Sequence, residues 1–165
     1  QIEFIRDSRS KIETIKIEIL SSVRAEMNER MNRYFNDIVS KDEVLNIELS
    51  EDYSVKVLND QGNNIIGSLA KGESQVLAFS FLAALTSVSG FSAPLVLDTP
   101  LGRISSTPKA RIAKNLPEYI NESQMAFLMT DEEYTDKVRM NMSRYVSNDC
   151  KLHLRGKVTG VVAYG

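Results

Sequence analysis

From Ile5 to Val39 the apolar residues Ile12, Ile15, Ile19, Val23, Met27, Met31, Tyr34 and Ile38 recur three or four positions apart, with charged residues between them. That is the period of one face of an α-helix. No proline or glycine interrupts the run, so the pattern predicts a single long helix. Its length and narrow seam mark residues 1–39 as a coiled-coil strand leading into a second region, 40–165; a surface helix packed along its own domain is the alternative.

After it the period changes. VLNIELSEDYSVKVLNDQGNNIIGS alternates apolar and polar residues between turn-rich clusters and predicts a β-meander, with strands at Val44–Leu49, Ser54–Leu58 and Asn64–Ile66. LAKGESQVLAFSFLAAL, from Leu69 to Leu85, is a small polar turn running straight into a buried helix. LVLD and MAFLM predict short, fully apolar strands, buried and parallel, and Thr107-Pro108 opens a helix between them. Thr130 and Glu133 have the spacing of a capping box for another helix. The tail predicts a hairpin turned at Arg155-Gly156 or at Thr159-Gly160. The whole is an α/β arrangement in which Asp98 and Thr130 stand at the carboxyl ends of strands, where such sheets bind ligands.

Composition narrows the function classes. The 165 residues are 42% apolar and 25% charged, enough for one sizeable core. A formal net charge of -2 argues against a basic nucleic-acid surface over the whole chain and leaves DNA contact to a local patch or a shared complex. Cys150 is the single cysteine and His153 the single histidine, which excludes an intrachain disulfide and a Cys/His metal cluster. Cys150 has only Lys151 as a basic neighbour, so it is not expected to be a reactive thiol, and His153 reads as a structural or surface residue. Met27, Met31, Met125 and Met129 fall at core spacing. With no membrane-length apolar run and no signal peptide at QIEFIRDSRSKIE, the expectation is a cytoplasmic protein. The opening also lacks a methionine, so a fragment or processed piece is expected.

Four stretches carry chemistry. A helix start offers backbone N–H groups and partial positive charge to an anion, and Gly72 lets a phosphate approach; the expected donors are Gly72, Glu73 and Ser74. The plainer alternative is a turn glycine with Ser68 or Lys71 as a cap. Asp98, ending LVLD, is placed to hold Mg²⁺ beside phosphates, or simply to cap a strand end. Thr99 follows it; a hydroxyl orients water but is no general base near neutral pH. GNNIIGS, Gly62 to Ser68, mimics a phosphate loop in spacing yet lacks its lysine and its preceding apolar strand, so a true phosphate loop must lie elsewhere. Arg103 reaches either a phosphate or a partner, or is an ordinary loop arginine.

In combination and order, LAKGESQ, PLVLDTPLGR and MAFLMTDEE resemble the C-terminal lobe of an ABC-type (P-loop NTPase) head of the SMC/SbcC class, over roughly Ile38 to Met140. Within that class they most resemble the DndD family of DNA sulfur-modification proteins, with DTPLGR the most telling string. The resemblance implies that Leu69, Ala70, Lys71, Gly72, Glu73, Ser74 and Gln75 are the ABC signature, Asp98 the Walker B magnesium aspartate, Leu101 to Ser105 the D-loop, and Thr130 the switch position. It further implies ATP and Mg²⁺, a phosphate loop on an N-terminal lobe of the same protein, a second head in a homodimer, DNA reached through the full complex, and other DNA-modification or defence proteins as partners. Ala70 stands where the signature has serine, Ser105 where the D-loop has Asp, Thr99 where many ABC proteins have Glu, and Thr130 where many have His. Slow hydrolysis is the expectation these departures set. The rival readings are a non-catalytic ABC-like interaction module and an unrelated α/β domain with a helical arm; the latter is tested by whether Gly72 and Asp98 face one cleft.

Overall fold

The computed structural model describes residues 2–39, 45–90, 92–102, 104–120, 123–155 and 158–164. Helix α1 runs Ile2–Ile38. Its first half carries Phe4, Ile5, Ile12, Ile15, Ile17, Ile19 and Leu20 exposed, and only from Met27 does the stripe become buried, through Met31, Tyr34, Phe35 and Ile38. The predicted helix is therefore two segments in one: a bare seam, then a core-forming end.

Strands β1 (Asn46–Leu49) and β2 (Val55–Leu58) pair antiparallel, Ile47 opposite Val57. The third strand expected at Asn64–Ile66 does not form. Asn64 makes one isolated bridge to Leu58, and Ile66–Ser68 close into a 3₁₀ turn. The Asn64 side chain explains the break, because its Oδ1 accepts from the N–H groups of both Val57 and Ile66 and turns the backbone out of the ladder.

The other edge of β1 is met by a ladder of asparagines on α1. Asn28 Oδ1 accepts from Leu49 N at 2.8 Å, Asn32 both accepts from Ile47 N and donates to Ile47 O at 2.7 Å, and Asn36 Nδ2 donates to Leu45 O at 3.0 Å. Four-residue steps on the helix thus serve alternate residues of the extended chain. They satisfy backbone groups that an uncovered strand edge leaves open.

Helix α2 (Lys71–Ser89) buries Val76, Leu77, Phe79, Ala83 and Ala84 in the core shared with α1 and ends at Gly90, whose φ of 66° is the left-handed stop glycine favours. Strand β3 (Leu95–Asp98) and β4 (Met125–Leu128) are parallel as expected, with Asp98 opposite Leu128. They are buried on one face only. Leu95, Leu97, Met125 and Phe127 pack on the core, while Val96 is 66% and Leu128 48% exposed, so the expectation of fully buried strands is corrected. Between them α3 (Ser106–Tyr119) starts at Ser105, with Pro108 in its first turn. The stacked rings of Tyr34 and Tyr119, centroids 3.9 Å apart, and the Tyr119 hydroxyl donating to Asp37 at 2.7 Å join its far end to α1.

Residues after β4 form a turn rather than the predicted helix: α4 begins later, at Asp136–Met142, with Thr135 as its cap. The hairpin pairs β5 (Asp149–Arg155) with β6 (Val158–Tyr164); Thr159 and Gly160 lie inside β6, so the turn is not there. No helix among the described residues is long and apolar enough to cross a membrane.

Candidate functional site

An open cleft of about 640 Å³ is lined by Leu69, Lys71, Ser74 and Gln75 from the start of α2 and by Asp98, Thr99 and Gly102 beyond β3. Two stretches some twenty-five residues apart are thereby brought together. Gly72 is not itself a lining residue but sits between Lys71 and Ser74, so the turn that holds it and Asp98 share a cleft edge.

Local chemistry builds the α2 wall. Ala70 is the residue before the helix, and its N–H donates to the Glu73 carboxylate at 3.0 Å; a methyl group returns nothing, so only half of a capping box exists. The Ser74 N–H already donates to Ala70 O at 2.9 Å. The expected donor set is thus shifted: Ser74 is used within the helix, and the groups that helix geometry leaves over begin at Lys71 and Gly72. The Ser74 hydroxyl also turns back to Ala70 O, at 3.2 Å. Ser68 does not cap this helix; both its N–H and its hydroxyl donate to Ile65 O.

Gln75 joins the two walls. Its Nε2 donates to Pro100 O at 2.6 Å, tying α2 to the turn that follows Asp98. In that turn Thr99 is held at φ 45°, a left-handed conformation that a β-branched residue adopts only under strain, while its N–H donates to Leu128 O at 2.8 Å. Leu101 and Ile104 plug the loop into the core, and Ser105 serves as the residue before α3. Arg103 lies outside the described residues.

Thr130 and Glu133 do not line the cleft, but Glu133 lies against the Leu101–Gly102 turn at its wall. Glu133 is 1% exposed, and its carboxylate accepts from Leu101 N at 2.7 Å, Thr130 N at 3.0 Å and the Thr130 hydroxyl at 3.0 Å. The spacing in the sequence marks Glu133 only as a capping partner of Thr130. Its contact with Leu101, thirty-two residues away, had no sequence signal beyond an acid placed shortly after an apolar strand. Asp98 is exposed at its strand end, and among the described residues no group of three His, Cys, Asp or Glu gathers that could hold a metal by itself. That fits Mg²⁺, which keeps several waters and is commonly held by one or two carboxylates together with substrate phosphates.

No known protein family's profile matches the chain, and no curated protein matches it. Solved structures do. A chain from work on ATP-driven dimerization and DNA-stimulated activation of SMC ATPases is similar at TM-score 0.67 and 15% identity, over 90% of this chain and 89% of that one. An Smc head domain with a coiled coil and joint from Pyrococcus yayanosii gives 0.68 and 16%, over 99% of this chain and 31% of that one. The Pyrococcus furiosus Smc head domain with an extended coiled coil, bound to the C-terminal domain of ScpA, gives 0.68 and 15%, over 99% and 39%. The chain thus spans about a third of the two Pyrococcus chains. At these identities the likeness establishes the fold: mixed α/β, as in the C-terminal lobe of an SMC head, with a long N-terminal helix.

Proposed function

We propose that this chain is the C-terminal lobe of an ATP-dependent SMC/SbcC-like head, of the DndD kind, acting in cytoplasmic DNA modification or defence. The observation that carries the reading is the cleft: in a fold shared with SMC heads, the signature-like turn Leu69–Gln75 and the strand-end Asp98 line one opening, joined by the Gln75–Pro100 bond. An N-terminal lobe brings the phosphate loop, and a second head completes each nucleotide site. The half-bare β3–β4 sheet supports a missing lobe, because parallel sheets are ordinarily covered on both faces.

In this reading Lys71 and Gly72 present their N–H groups to the γ-phosphate held by the opposite head, with Leu69, Ala70, Glu73, Ser74 and Gln75 shaping the turn. Asp98 holds Mg²⁺, which supplies charge neutralisation on the phosphates. Thr99 and Thr130 orient water, and Arg103 and Ser105 belong to the D-loop facing the second head. Ala70 provides no hydroxyl for a charge-assisted bond worth about 1.5–3 kcal/mol, and neither Thr99 nor Thr130 is a base. Hydrolysis is therefore slow, and nucleotide serves chiefly to bring heads together so that DNA and partner proteins are engaged by the full complex.

The test is ATP turnover by the full-length protein, wild type against Asp98→Ala and Gly72→Asp. An aspartate in the first turn favours the helix dipole, so Gly72→Asp challenges anion binding while leaving the helix intact. Slow turnover lost in both variants supports the composite ATPase. Heads that associate without turnover in any version point instead to an interaction module, the reading favoured by Ala70 and by Ser105 at the D-loop position.

A further inference from the structure

Thr130 stands just past β4, beside the end of β3, since Thr99 N–H donates to Leu128 O. Its hydroxyl and its N–H both donate to Glu133 Oε2, while Oε1 receives Leu101 N–H. All three contacts on this carboxylate come from donors, two of them backbone N–H groups that can only donate. The Thr130 hydroxyl proton is committed inward, to a buried group. Thr130 itself is exposed, so what its oxygen offers the outside is lone pairs. The cleft wall rests on the same carboxylate: a Cβ added at Gly102 would lie 3.5 Å from Glu133 Oε1.

We propose that Thr130 works as a hydrogen-bond acceptor toward the attacking water, not as a donor to the γ-phosphate, and that buried Glu133 is the positioning residue that sets this polarity. The inference rests on the ATPase reading above and deepens it. A γ-phosphate presents only acceptors and gains nothing from a hydroxyl whose proton points away, whereas a water molecule has protons to donate. As the water oxygen bonds to phosphorus, the bond to the bridging oxygen breaks with its electron pair leaving on ADP. The protons of the water pass to inorganic phosphate and solvent, and Thr130 keeps its own.

Steady-state ATP hydrolysis by the full-length protein tests this with Thr130→Val, Thr130→Ser and Glu133→Gln. Loss of one water-orienting bond in Thr130→Val lowers kcat about tenfold with KM held within about twofold. Thr130→Ser, which keeps the oxygen and its proton, stays within about threefold of wild type. Glu133→Gln puts an N–H group or a lone oxygen where three donors converge, so it lowers kcat as Thr130→Val does, and the double variant falls no further. A rise in KM or loss of nucleotide-dependent head association in Thr130→Val, with kcat unchanged, means that Thr130 donates to phosphate and overturns the polarity. Unchanged kcat in a folded Glu133→Gln removes Glu133 from the role; where that variant does not fold, the valine and serine pair decides. Absence of turnover in wild type rejects the ATPase reading itself, and this inference with it, which is a different result from a KM effect alone.

Discussion

Thr99 sits at φ 45° directly after Asp98, in a turn whose neighbours are Gln75's acceptor Pro100 and the buried Leu101. Left-handed backbone at such a residue costs about 1–3 kcal/mol. Glycine would relieve it, less about 0.5–1 kcal/mol of added unfolded-state entropy. Thr99→Gly is accordingly expected to raise unfolding stability by about 1 kcal/mol in denaturant titrations; a loss of stability would show that the turn is held by contacts the threonine side chain makes. The same residue marks how far sequence reading reached. Asp98, Thr99 and Thr130 were legible because each ends or follows a short apolar strand, a position the local pattern displays. Glu133 was legible only as Thr130's neighbour, since its third donor comes from a distant loop, and the shift of the open N–H groups from Ser74 to Lys71 depended on where one helical bond begins.

Helices and strands show the same division. The long helix, the two parallel strands and the hairpin follow from periodicity, whereas the absent third strand of the meander turned on one side chain, Asn64, competing for Val57 and Ile66 N–H groups. Asparagine at 28, 32 and 36 was likewise mute in the sequence: a weak helix former at four-residue spacing acquires meaning only once β1 lies alongside. Asn32 pairs with both backbone groups of fully buried Ile47. Asn32→Leu strands both and is expected to cost about 3 kcal/mol, read from chemical denaturation, with Asn36→Leu costing less because on the extended chain it serves only Leu45 O. At the other junction, burial and then the hydrogen bond to Asp37 push the Tyr119 phenol well above its usual value. Folded protein then holds a proton that unfolded chain releases above about pH 10. The α1–α3 junction therefore keeps its full stability below that pH and loses it as pH rises further. Tyr119→Phe is expected to flatten this alkaline loss in melting temperature measured from pH 9 upward; an unaltered slope would assign the loss to other groups.

On the scale of the whole molecule, the described residues leave apolar surface uncovered along the seam of α1 from Phe4 to Leu20 and on the Val96–Leu128 face of the parallel sheet. The second borders the cleft, so under the proposed function the chain alone would offer only one side of a nucleotide site. Residues 1 to 165 by themselves are expected to bind no ATP measurably in calorimetry, and micromolar binding would contradict a composite site. Supplying the N-terminal lobe is expected to slow hydrogen exchange in β3 and β4 before it slows exchange in β1 and β2, because the asparagine ladder already closes that other edge. The ladder has a geometric consequence as well. Four residues of helix advance ~6.0 Å, and two residues of strand ~6.6 Å, so rungs drift apart by roughly half an ångström each and three is near the useful limit. Smaller displacements of α1 along β1 break every rung, while a full helical step lets two of the three re-form against the next backbone position. The joint between the long helix and the body is therefore a detent: it resists sliding continuously and yields, if driven, by whole notches.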